Sequence, residues 1–144
     1  GMMMLLPSTA RIVARQMGVP YEEGRLYEAH YNMQLGSYHL GDLLGRVSGS
    51  YILTAAGYNA GPGRPARWIN ECGDPRTSFT DPLDFIECIP FSETRNYVMR
   101  VLENMTVYRA KMNGGSAPIT LSADLKRGGY GYTAASQSVA TSAN

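Results

Sequence analysis

Ser50-Tyr51-Ile52-Leu53-Thr54-Ala55-Ala56-Gly57-Tyr58-Asn59 is the stretch on which the fold turns. From Tyr51 to Tyr58 it is almost wholly apolar, with a Ser48-Gly49-Ser50 turn before it and the breakers Gly61, Pro62 and Gly63 after it. The polar–apolar alternation of a half-exposed strand is missing. The run reads as a short helix that is apolar on every side and must therefore be buried.

Working outward, the flanking sequence is helical in pattern as well. Upstream, His30 to Val47 carries an apolar stripe of Met33, Leu40, Leu43, Leu44 and Val47, interrupted by Gly36, Gly41 and Gly45. Each mid-helix glycine costs about 1 kcal/mol against alanine, so three of them predict close helix packing. Before that, Pro7 opens a helix with Ser8 or Thr9 free to cap it, a buried face of Ile12, Val13 and Met17, and Gly18 as its stop. Downstream, Pro65 sits in the first turn of a helix through Trp68 and Ile69 to Gly73. Asp81-Pro82 caps and opens another that ends near Pro90. A last helix starts at Ser92 and runs through Tyr97, Val98, Val101, Leu102, Met105 and Tyr108 to about Met112. The body is expected to be all-α.

From Gly114 the composition changes, with 19 of the last 31 residues Gly, Ser, Ala or Thr. Such a stretch buries too little apolar area to offset its ordering, so the expected division is a domain over 1–113 and a flexible tail over 114–144.

The whole chain is one domain long at 144 residues, and 13 Lys and Arg against 12 Asp and Glu leave a formal charge of +1. That near-balance argues against nucleic acid as a partner, which needs clustered excess cation. No apolar run reaches the 18 or more residues of a membrane span. Ten Tyr against three Phe and one Trp suit a wet, aromatic-lined cleft, although core filling explains most of them equally well.

Two segments carry candidate chemistry. Asn59 to Arg64 follows the buried helix, and its glycines permit close backbone approach to a ligand; a plain helix stop and turn explains it about as well. No Gly-Lys-Ser/Thr follows, so it is not a phosphate loop. In Ile89 to Val98, Ser92 is a natural N-cap and Glu93 falls in the first turn, where the helix dipole favours a carboxylate without any function. The functional reading makes Glu93 a carboxylate aimed into a cleft from a rigid helix end. Glu22, Glu23 and Glu28 lie in a polar stretch and are expected to be solvated.

Four segments in order, Gly1 to Ala10, Tyr31 to Gly36, Tyr58 to Arg64 and Ile89 to Val98, together resemble the catalytic domain of the soluble lytic transglycosylases, goose-lysozyme-like enzymes that cleave bacterial peptidoglycan. The resemblance covers Gly1 to about Met112. It implies a lysozyme-like helical domain with a groove for alternating N-acetylglucosamine and N-acetylmuramic acid. A glutamic acid there protonates the glycosidic oxygen, and the muramic acid 6-hydroxyl attacks C1 to give a 1,6-anhydro product, with no metal and no cofactor. A muramidase of the same fold, using water as acceptor, and a non-catalytic glycan-binding module are the alternatives.

Carried over by position, the resemblance makes Tyr58 the supporting tyrosine that hydrogen-bonds the catalytic glutamate. Asn59 sits beside it, and Glu93 matches an acidic substrate contact across the groove. Met3 is an apolar neighbour of the site. Met4 stands where the family usually has a glutamine facing the sugar, Leu6 where it usually has a methionine, and Gly57 where it usually has an alanine expected to matter little. The family's catalytic glutamate precedes the segment matching Gly1, so the general acid is expected upstream of residue 1 and none of the catalytic carboxylates in this chain. Peptidoglycan glycan strands are the implied partner, the chain is expected to be a monomer, and the location is the periplasm or cell envelope.

Cys72 and Cys88 have no histidine at metal-ligand spacing, since His30 and His39 stand in no such relation to them. In a periplasmic protein they form a disulfide, worth about 3 kcal/mol for a loop of this size, or remain two buried thiols; both readings stand at this level.

Overall fold

The computed structural model describes residues 5–112 and 114, and among them every regular element is helical. In chain order these are α1 (Pro7–Met17), a 3-10 turn (Glu23–Tyr27), α2 (Ala29–Arg46), α3 (Tyr51–Ala60), α4 (Arg64–Cys72), α5 (Pro82–Cys88) and α6 (Ser92–Met112). The all-α expectation is met. Met3, Met4 and the segment 115–144 assigned to a flexible tail lie outside the described residues. Two compact units result, one ending at Asp42 and the other beginning at Leu43.

In the first unit, Ala10, Val13 and Ala14 of α1 share a core with Leu26, Tyr31 and Leu35. Gly18 ends α1 as expected, in the left-handed conformation at φ 70°. The predicted cap is corrected: Leu6 holds the N-cap position with no side-chain bond, and Pro7 begins the helix, needing no donor there. Ile12 is also corrected, being 55% exposed, because the buried face centres on the small Ala10 and Ala14 instead. The 3-10 turn had no apolar period to reveal it. It is held by Arg25, which pairs with Glu22 and Glu28 at 3.0 and 3.2 Å and lies 4.6 Å from the Tyr31 ring centre. Those glutamates are solvated, as expected. The Tyr31 hydroxyl accepts from the Glu22 N–H and donates to the Pro20 carbonyl, so the Val19–Pro20 break is tied down from α2.

The stripe assigned to α2 is partly overturned. Tyr31, Asn32, Leu35 and His39 are buried, whereas Met33 and Leu40 are exposed at 56% and 38%. A Cβ added at Gly41 or Gly45 would meet nothing within 4 Å, so neither glycine marks close packing.

The second unit is built around α3. Residues 52–57 are buried without interruption, and Ser50 caps the helix by accepting from the Leu53 N–H at 3.2 Å. Ile52, Leu53 and Ala56 join Trp68 of α4, Phe85 and Ile86 of α5, Ile89, and Val98 and Leu102 of α6 in one core. Gly57 matters more than expected: an added Cβ would stand 3.2 Å from the Pro65 ring, so glycine here lets α4 start against α3. Asp81 caps α5 as predicted, accepting from the Leu83 and Asp84 N–H groups, and α5 ends at Cys88, short of Pro90.

The cysteine question resolves to a disulfide between Cys72 and Cys88, which joins the last residues of α4 and α5. The loop inside it is ordered by Asp74, whose carboxylate accepts from the Arg76 guanidinium at 2.8 and 2.9 Å. Those hydrogen bonds hold the Asp74 carboxyl below its usual range. Arg76 also donates to the Val47 carbonyl at 3.3 Å. Among the described residues no helix is long and apolar enough to cross a membrane, and no cluster of His, Cys, Asp or Glu could hold a metal.

Candidate functional site

The C-terminal end of α3 and the start of α6 meet, which is what a groove between the two motifs requires. Thr94, only 2% exposed, donates its hydroxyl to the Asn59 side-chain carbonyl at 2.8 Å. Tyr58 and Glu93 are the immediate chain neighbours of that pair.

Local sequence explains the geometry. Asn59 lies one residue before the end of α3, and Gly61, at φ 109°, turns the chain there. At the other side, α6 begins with Ser92, and its first intrahelical bond runs from the Arg95 N–H to the Phe91 carbonyl at 3.0 Å. Ser92 is thus inside the helix and Phe91 takes the capping position predicted for Ser92. Arg95 reaches back to the Ile89 carbonyl at 2.6 Å and fixes the Pro90–Phe91 corner. Phe91 itself meets Trp68 edge-on at 5.6 Å between ring centres, while the Arg64 guanidinium lies 4.8 Å from its ring centre.

Electrostatically the site is quiet. The Tyr58 hydroxyl oxygen is sealed from solvent, and that burial, with the nearby Tyr97, pushes its pKa up to about 12. Burial raises Tyr97 too, against the opposing pull of Arg100. Both phenols are neutral hydrogen-bonding groups at physiological pH. Glu93 is exposed on the first turn of α6. It borders a hollow of about 470 Å³ along that helix, with Asn96, Met99, Arg100 and Glu103 as the other lining residues. Tyr58 and Asn59 do not line this hollow.

Of the expected set, Asn59 is joined to α6 through Thr94, the chain neighbour of Glu93, and Tyr58 precedes Asn59 on α3. Leu6 lies in the other unit and is 70% exposed, while Met3 and Met4 lie outside the described residues. The residues missed from sequence are Thr94, which holds Asn59, and the Arg64–Phe91 pair. Their signal was present, since all three fall inside the two motifs, but nothing local in either motif reports a contact across 35 residues.

Comparison with known proteins follows the same lines. Residues 1–78 match the transglycosylase SLT domain family, and residues 88–117 match the soluble lytic transglycosylase helical domain. A Haemophilus influenzae protein assigned to the soluble lytic murein transglycosylases is 38% identical over 129 residues, 88% of this chain and 21% of that protein. The soluble lytic murein transglycosylase of Escherichia coli K12 is 35% identical over 126 residues, 85% of this chain and 18% of the relative. The chain thus spans about a fifth of the length of the curated relatives it matches. Among solved structures, an inactive glutamate-to-glutamine mutant of the lytic transglycosylase Slt from Pseudomonas aeruginosa matches with a TM-score of 0.63 and 32% identity, over 80% of this chain and 18% of that one. At that identity the likeness extends to the lysozyme-like helical fold. Since the first family match alone takes in more than half of the 144 residues, the chain belongs to the transglycosylase SLT domain family.

Proposed function

We propose that this chain is the substrate-holding part of a peptidoglycan lytic transglycosylase, acting on the bond between N-acetylmuramic acid and N-acetylglucosamine in the cell envelope or periplasm. The observation that carries the reading is the Thr94–Asn59 bond, which sets the tyrosine-bearing end of α3 beside the acid-bearing start of α6. Tyr58 offers its neutral, solvent-shielded hydroxyl to the catalytic acid, and Asn59 offers its amide to a sugar. Glu93 offers a carboxylate to a sugar hydroxyl, and by resemblance Met3, Met4 and Leu6 are assigned as apolar contacts with a sugar face.

In this reaction an acid gives a proton to the glycosidic oxygen as the C1–O bond breaks. The muramic acid 6-hydroxyl then closes onto C1 and returns its proton to the same carboxylate. The substrate thereby supplies the nucleophile that a second carboxylate supplies in other glycosidases. A general acid must stay protonated near neutrality, which takes an apolar surround. No carboxylate among the described residues is buried, and this favours a proton donor outside residues 5–112. No metal or cofactor has a step to perform.

The test is product analysis. Residues 1–144, as a monomer, are expected to bind murein glycan without releasing product. The same chain joined at Gly1 to the preceding helix of a relative is expected to release 1,6-anhydro-muropeptides from sacculi, seen by mass spectrometry. Reducing ends in their place would assign a hydrolase, and turnover by 1–144 alone would put the acid within this chain.

A further inference from the structure

Arg64 closes the motif that begins at Tyr58, and nothing in the reading above uses it. Its guanidinium carbon lies over the Phe91 ring, 4.8 Å from the ring centre. The Phe91 ring in turn makes an edge-to-face contact with Trp68, which is 1% exposed. Arg64 is exposed, and among the described residues its guanidinium has no carboxylate or carbonyl partner. The contrast with its neighbours is informative: Arg67 pairs with Glu71, Arg76 with Asp74, and Arg95 with the Ile89 carbonyl.

Stacking on an aromatic face engages the guanidinium through its plane and leaves its N–H edges free. Those edges form a fork that matches the two oxygens of a carboxylate, and the stack removes part of the rotamer freedom that would otherwise be lost on binding. A long, flexible cation has thus been made a preset one. It stands on the α3–α4 corner, and the ring that holds it is two residues from Glu93 and three from Thr94.

The geometry points to a carboxylate-binding subsite formed by Arg64 on Phe91, which reads the anionic group that distinguishes muramic acid from glucosamine along a glycan. This assignment rests on the murein reading above. Two sources offer the same chemistry: the free lactyl carboxylate of a peptide-stripped strand, or a carboxylate of the stem peptide once the lactyl group is amidated. Either would tell the protein which sugar of the alternating pair lies at that corner, through the one charged group that the two sugars do not share.

Binding of residues 1–144 to three soluble probes separates the possibilities by calorimetry or fluorescence titration. The probes are a chitin oligosaccharide without carboxylates, a peptide-free murein oligosaccharide with lactyl carboxylates, and a muropeptide with its stem. Loss of a charge-assisted bidentate contact predicts that Arg64→Ala weakens binding of the carboxylated ligand about tenfold and leaves the chitin oligosaccharide within about twofold. Arg64→Lys, which keeps the charge but not the fork, should recover only part of that loss. Phe91→Leu, which removes the stack, should lower affinity for the same ligands. If the peptide-free strand is affected the lactyl group is the target, and if only the muropeptide is affected the stem is. Equal weakening for all three probes, or none for any, overturns the assignment while leaving the murein reading intact. Failure of the unsubstituted chain to bind any probe refutes the murein reading, and this subsite with it.

Discussion

The Thr94 hydroxyl and the Asn59 amide oxygen, 2.8 Å apart, join the end of one helix to the start of another. Thr94 is nearly solvent-free, so water is poorly placed to replace it. Thr94→Val keeps the shape and removes the donor. The expected cost is about 1–3 kcal/mol of stability, read as a lower urea midpoint. Thr94→Ser should restore most of it. Glycan affinity should fall in Thr94→Val and return in Thr94→Ser, as expected of a residue that positions Asn59 and Tyr58.

The bridge between Cys72 and Cys88 closes a loop with a sequence separation of 16. Reduction under native conditions, or the Cys72→Ser/Cys88→Ser double variant, is expected to remove about 3 kcal/mol. Chemical denaturation with and without reductant measures the difference. Titration of the unreduced, unfolded chain should find no free thiol.

Burial lifts the Tyr58 phenol to about 12 from an ordinary 10. A raised folded-state pKa means that the unfolded chain loses this proton first as pH rises. The stability tied to the neutral phenol is complete below pH 10 and is lost as pH climbs through 12. The ceiling is about 3 kcal/mol, and because Tyr58 is only half-buried the expected loss is about 1–2 kcal/mol. Urea midpoints between pH 9 and 12 should therefore fall more steeply for the unsubstituted chain than for Tyr58→Phe. Parallel curves would mean that the phenol titrates as if in water.

Gly73 ends α4 with φ at +87°, and a Cβ built there would run into the Thr80 side chain. Both the backbone and the space demand glycine. Gly73→Ala is expected to cost about 1–3 kcal/mol, visible as a lower thermal midpoint. Gly41→Ala, in open space on α2, should gain a few tenths to about 1 kcal/mol.

What the chain showed of itself in advance follows from the range of each signal. The Tyr51–Gly57 run announced a buried helix because no exposed face interrupts it, and Gly18 and Asp81 announced helix ends through their own backbone and side-chain chemistry. The 3-10 turn over Glu23–Tyr27 was silent because ion pairs and a stacked arginine hold it instead of an apolar period. Met33 and Leu40 misled because helical spacing says that residues share a face, not that the face is covered. Ser92 misled because Phe91, although it cannot cap by side chain, is anchored by Trp68 and by the Arg95–Ile89 bond one turn away. The meeting of Asn59 with Thr94, and of Arg64 with Phe91, could be read only through resemblance to a family, since no local pattern encodes a partner that distant.

Trp68 is the chain's one indole, and it sits in the core with its edge on Phe91, under the guanidinium of Arg64. With excitation at wavelengths that the ten tyrosines do not absorb, its emission comes from a single known place. The protein thus carries a natural optical probe beneath the corner where a glycan is proposed to lie, and occupancy, reduction of the bridge and unfolding can each be followed there without attaching a label.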